Sequence, residues 1–173
     1  GLRAICAVLA AGRDGANRAV ALFIGDVFAY LRDRPPAQNS TRENIRKEIQ
    51  AQILKAAPLR KANDPLIVVG HSMGGVITFD MLSDPDVKKS LHEAAPGLVI
   101  DAFISVGSQI ALFEEMKLYT TSDKAIVKPA KVAYPFGQFV KHWLNVFDDT
   151  DPLSYLCKPV FNGVDDFMFS SET

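Results

Sequence analysis

Ser72 lies in Gly70-His71-Ser72-Met73-Gly74, a G-x-S-x-G spacing. Between a strand and a helix, that spacing is a nucleophile elbow. A serine at the tip of so tight a turn is held in a strained backbone conformation, and side chains two residues before and after it would collide. Gly70 and Gly74 are expected to remove those side chains. A serine hydroxyl is a poor nucleophile at neutral pH. It needs a base within hydrogen-bond reach, and the base needs an orienting carboxylate. Three carboxylates cluster later in the chain, at Asp148, Asp149 and Asp151, and the histidines are His71, His92 and His142. The plain alternative for the three aspartates is that they cap turns in a loop.

The elements around Ser72 are those the motif demands. Leu66 to Val69 is a short apolar, β-branched run, as expected of a strand buried on both faces of a parallel sheet. The helix from Gly74 onward turns its N-terminus to the site, where developing negative charge is stabilised. G-x-S-x-G also occurs by chance, as a serine in a glycine-rich turn. The apolar strand before it and the apolar helix after it favour the elbow.

A second strand-turn-helix unit follows. Leu98 to Val106 reads as a strand, Gly107-Ser108-Gln109 breaks it, and Ile110 to Tyr119 returns as a helix. Trp143 to Phe147 is a third strand, and Asp148 to Tyr155 leaves its C-terminal end, where open parallel sheets place ligand-facing residues. A last strand is expected within Lys158 to Phe169. Strands alternating with helices imply a parallel sheet with right-handed crossovers.

Ahead of the elbow, Val20, Phe23, Ile24, Val27, Phe28 and Leu31 recur at spacings of three and four, which predicts a helix over 15–33. Asp26 within it reads as a solvated or capping carboxylate, and Arg34-Pro35-Pro36 ends the helix. A second helix is expected over 40–57, with Ser40 and Glu43 as a capping box, Glu43 and Lys47 as an i,i+4 pair and Pro58 as its stop. Ser83-Asp84-Pro85-Asp86 is a turn, followed by a polar helix carrying a surface His92. Thr120 to Phe136 reads as a surface excursion near the mouth of the site.

Length bounds this chain to one domain, 1–173, large enough for a sizeable core. Net charge −1 gives no reason to expect nucleic acid as a partner. No apolar run approaches the roughly 20 residues of a bilayer span. Gly1 to Gly12 is apolar but has no basic leader and is followed by Arg13, so it reads as part of the fold rather than as a signal peptide. Cys6 and Cys157 form no dense framework, so free buried thiols and a cytoplasmic setting are expected. His and Cys do not cluster at metal-ligand spacing, and no metal or other cofactor is expected.

On the Gly70–Gly75 motif and its context, the chain resembles the α/β-hydrolase family, in particular lipase- and esterase-like members with GHSMGG or GHSLGG elbows. The resemblance spans about residues 15–169, with specific motifs at 65–80, 98–108 and 143–155. It implies an α/β fold with a mostly parallel sheet flanked by helices, and a catalytic triad in the chain order Ser, Asp or Glu, then His. Ser72 takes the first place. Trp143 to Leu153 looks like the acid-bearing loop, which gives the acid role to Asp151, with Asp148 and Asp149 as the fallback choices. The N–H of Met73, after the nucleophile, becomes one oxyanion donor.

Two family features have no match in the sequence. The base is expected after the last strand, yet no histidine follows His142. The early loop that carries a second oxyanion donor is not visible in residues 1–60. The chain therefore reads as an incomplete α/β-hydrolase domain, completed by a partner or by the remainder of a parent chain that supplies early strands and a histidine loop. The implied activity is hydrolysis of carboxylic esters, with a small-molecule ester or lipid as substrate. The alternative is a hydrolase-fold binding or scaffold module that has lost its triad.

Overall fold

The computed structural model describes residues 25–33, 40–61, 63–151 and 153–170. The chain divides into two units, Gly1–Arg42 and Glu43–Thr173. In the first, residues 25–32 are helical (α1), Val27, Tyr30 and Leu31 are buried, and Asp26 is exposed. The Asp33 carboxylate accepts the N–H of Arg42 at 3.1 Å. It thus satisfies a first-turn donor of the next helix, beside the capping expected of Ser40. The readings made for residues 1–24, with Gly1 to Gly12 and Cys6, lie outside the described residues.

Helix α2 spans Thr41–Ala56 and ends in a 3-10 turn, Ala57–Leu59, at Pro58. Glu43 pairs with Arg46 at 3.2 Å rather than with Lys47. The reason is burial. Arg46 is 4% exposed, and its guanidinium fork spans Glu43 and Asp84, the latter at 2.6 Å. Asp84 also accepts the N–H of Asp86 at 2.9 Å and so caps the helix that follows. Burial pushes the Asp84 pKa up, but the Arg46 hydrogen bond and charge outweigh it and hold it below the usual value.

The remaining elements follow in the order β1 (Ile67–His71), α3 (Met73–Ser83), α4 (Pro85–Ala94), β2 (Ile100–Val106), α5 (Ile110–Glu115), β3 (Val140–Phe147) and β4 (Val164–Met168), so helices separate the first three strands and, among the described residues, none separates β3 from β4. The strands form one sheet in the order β1-β2-β3-β4, and every pairing is parallel. This is an α/β architecture: a four-stranded parallel sheet with helices beside it. Among the described residues no helix is long and apolar enough to cross a membrane.

The two faces of the sheet differ. On one, Phe79 from α3 meets Trp143 at 5.4 Å, Phe136 at 5.6 Å and Phe161 at 5.2 Å between ring centroids, a tightly packed aromatic core. Phe136 corrects the reading of Thr120 to Phe136 as an excursion at the site mouth. That residue is 1% exposed and lies just ahead of β3, at the sheet end away from Ser72. On the other face, Ile67 and Val69 are 47% and 62% exposed. Their register partners Ala102 and Ile104 on β2 and Leu144 on β3 are only half-buried. The expectation that the elbow strand is buried on both faces is therefore corrected: α3 covers one side only. Cys157 is buried and unbridged, and burial pushes its thiol pKa up.

Candidate active site

Ser72 occupies the junction between β1 and α3. Its φ of 52° and ψ of −125° lie in a region that L-residues rarely adopt. The conformation is over-determined by neighbours. The Ser72 N–H donates to Val106 O at 2.9 Å, which ties the turn to the end of β2. The Ser72 carbonyl accepts from Gly75 N–H at 3.0 Å, opening α3. Met73 is the first residue of α3, so its N–H has no carbonyl a turn earlier in the helix to bond. That is the donor expected beside the nucleophile.

The glycines divide differently from expectation. A Cβ on Gly70 would lie 2.7 Å from Gly75 Cα, so its bareness lets the strand touch the helix. A Cβ on Gly74 would meet nothing within 4 Å. The steric role given to Gly74 is therefore corrected: Gly75 has it. A Cβ there would lie 2.0 Å from Ser108 Oγ and 3.1 Å from Gly70 O. The pinch falls one residue later because the second strand-turn-helix unit presses Ser108 against the helix at that point.

The three candidate aspartates also separate. Asp148 Oδ1 accepts from Thr150 N–H at 2.8 Å and Thr150 Oγ1 at 2.7 Å, closing its own turn. Asp149 is exposed at the turn's tip. Asp151 Oδ1 accepts from Leu153 N–H at 2.9 Å, while Oδ2 stands 3.8 Å from the position a Gly107 Cβ would take. His71 Nε2 stands 3.8 Å from that same position. One small space over Gly107 thus holds a carboxylate oxygen and an imidazole nitrogen. Pro152 lies outside the described residues.

A cavity of about 390 Å³ opens there. His71, Asp148, Asp151 and Ser154 give it a polar side, and Val106, Val146, Phe147 and Phe169 an apolar one. His71 is exposed and turned to this cavity. His92 is exposed on α4, and His142 is exposed near the start of β3, remote from the strand ends that carry Ser72 and Asp151. Among the described histidines, His71 alone lines the cavity.

Three further residues bind these parts together and were not singled out from the sequence. Ser108 Oγ donates within 3.0 Å of Ser72 O and 3.2 Å of Val106 O. Gln109 Nε2 donates to Gly107 O at 3.1 Å and also to Leu153 O in the aspartate loop. Buried Asn145 donates to Tyr155 O at 2.9 Å and to Asp166 at 2.8 Å, and accepts from Ser105 Oγ at 2.8 Å. Gly107-Ser108-Gln109 stood out only as a strand break. Its place at the C-terminal end of a strand adjoining the elbow strand was the available signal. No family model, no curated protein and no solved structure matches the chain.

Proposed function

We propose that the protein is a serine hydrolase of the α/β-hydrolase type that cleaves carboxylic esters through an acyl-enzyme on Ser72. The observation that carries this reading is the backbone of Ser72. A non-glycine residue at φ 52° costs about 1–3 kcal/mol, and a chain gains from holding it where a nucleophile must stand clear of its own strand and helix. Asp151, one oxygen fixed by Leu153 N–H and the other over Gly107, supports the role of orienting acid.

The chemistry then runs as a two-step acyl transfer. Ser72 Oγ attacks the ester carbonyl carbon and its proton passes to a histidine base seated in the cavity beside Asp151. The oxyanion is held by Met73 N–H at the start of α3. The tetrahedral species collapses, the C–O bond to the alcohol breaks, and the alcohol leaves with the proton from the imidazole. Water repeats the sequence on the acyl-enzyme and releases the acid. The apolar wall of Val106, Val146, Phe147 and Phe169 suits the hydrocarbon part of an ester.

A fluorophosphonate probe followed by intact-mass analysis tests the reading. We expect one adduct on the wild type and none on Ser72→Ala. A folded wild type that stays unlabelled both alone and within a longer parent chain that supplies the expected histidine loop overturns the enzyme reading in favour of a binding module. His71→Gln decides the base: lost labelling gives His71 the role, and retained labelling gives it to a different histidine.

A further inference from the structure

The geometry points to Ser108 and Gln109 as positioning residues that lock the nucleophile turn and the aspartate loop in one register. This inference rests on the serine-hydrolase reading of Ser72 and Asp151. Neither residue reaches the reacting atoms. Both act through the backbone, and both are 1% exposed.

Ser108 acts on the oxyanion side. The Ser72–Met73 peptide is trans, so its C=O and N–H point in opposite directions. Ser108 Oγ donates to that C=O at 3.0 Å, and Gly75 N–H donates to it at 3.0 Å. Holding the Ser72 oxygen toward Ser108 turns the Met73 N–H the other way. The hydroxyl of Ser108 thereby sets the aim of the donor that meets the oxyanion. Its own place is fixed by close packing, since Gly75 has no Cβ to displace it.

Gln109 acts on the acid side. Its Nε2 bridges Gly107 O, at the cavity floor, and Leu153 O, in the loop whose N–H at the same residue holds Asp151 Oδ1. Tyr155 N–H donates to Ser108 O at 3.3 Å and adds a second tie between the same two segments. Gln109 Oε1 is buried with no hydrogen-bond partner among the described residues. A buried amide oxygen left unsatisfied calls for an explanation. What the site uses is the pair of amide donors, which clamps Asp151 to the turn that also holds Ser72. A shift of about 1 Å in such a clamp is enough to slow a reaction roughly 100-fold.

The experiment measures the saturating rate and half-saturation of fluorophosphonate labelling at Ser72, with the thermal midpoint of each variant. Ser108→Ala and Gln109→Met are each expected to lower the saturating rate about tenfold or more, with half-saturation unchanged and the midpoint still above the assay temperature. Ser108→Cys, which keeps the size and a weak donor, should fall between wild type and Ser108→Ala. A structural role alone would move the midpoint and leave the rate of the folded fraction intact. Wild-type rates in folded Ser108→Ala and Gln109→Met overturn the inference while the hydrolase reading stands. If Ser108→Ala does not fold, Gln109→Met decides, because it leaves the Ser72 contacts untouched. A wild type unlabelled both alone and within the longer parent chain overturns the hydrolase reading first and the positioning roles with it.

Discussion

The two ends of the sheet each carry an aspartate beside a cavity, and they are built for different work. At the N-terminal end, Asp101 near the start of β2 uses both carboxylate oxygens. Oδ1 takes Lys141 Nζ at 2.6 Å; Oδ2 takes Arg60 Nη1 at 3.1 Å and Leu66 N–H at 2.8 Å. The cavity there is the larger of the two, about 650 Å³, and is lined by Arg60, Lys61, Asp64 and Lys141. At the C-terminal end, Asp151 spends one oxygen on Leu153 N–H and leaves the other over Gly107, facing a cavity of about 390 Å³. On the reading proposed above, size does not mark the chemistry; a carboxylate oxygen that shares the space over Gly107 with an imidazole nitrogen does.

The sharpest way to break this comparison is to neutralise each aspartate in turn. Asp151→Asn keeps the shape but reverses the hydrogen bonding offered to a base. It should lower kcat for a p-nitrophenyl ester about 1,000- to 10,000-fold with the fold intact. Asp101→Asn should leave kcat within about twofold, because its partners are surface cations and a strand N–H. Equal losses in the two variants would show that both act through stability. Full activity in Asp151→Asn would move the acid role to Asp148, which also lines the cavity.

The comparison also explains what could be read from the sequence. β1, α3, β2 and β3 were legible because apolar runs and breakers are local signals, and Ser72 was legible because the elbow is a local motif. Asp151 was singled out only through the resemblance of Trp143 to Leu153 to an acid-bearing loop; its lying with His71 over Gly107 follows from neighbouring parallel strands ending side by side. Gly75 was not legible as the crowded glycine. Its neighbour Ser108 is distant in sequence, and only the packing of the second unit against α3 brings the two together. Gln109 was missed because its partners are backbone carbonyls, which no side-chain pattern reveals, and Asn145 because Tyr155 O, Asp166 and Ser105 meet it only across the folded sheet. The exposure of Ile67 and Val69 was missed because an apolar run specifies an apolar strand, not what lies over it.

A substrate-free test separates the two glycines at the C-terminal end. Gly75→Ala would drive a Cβ to within 2.0 Å of a buried Ser108 Oγ, and neither atom belongs to a long, flexible side chain. Overpacking of this kind should lower stability by about 3 kcal/mol in urea unfolding. Gly74→Ala meets open space inside a helix and should raise stability by about 0.5–1 kcal/mol. Similar destabilisation by both substitutions would restore the symmetric view of the motif, in which the residues two before and two after the serine are the crowded ones.

The smallest effect belongs to the N-terminal end and is a pH dependence. The Lys141 hydrogen bond, then the Leu66 N–H, hold the Asp101 carboxyl below its ordinary value of 3.8 in the folded protein. A depressed folded pKa contributes stability that is complete above the unfolded value and is lost as pH falls through the folded one. Asp101 sits in an exposed network, so the contribution is about 1 kcal/mol or less after solvent screening. Wild type should exceed Asp101→Asn by that margin at pH 7, and the two unfolding curves should converge below pH 3.8. A gap that stays constant across that range would mean that Asp101 acts through the packing and neutral hydrogen bonds of the strand start. The N-terminal end would then owe nothing to charge, and the contrast with Asp151 would rest on position alone.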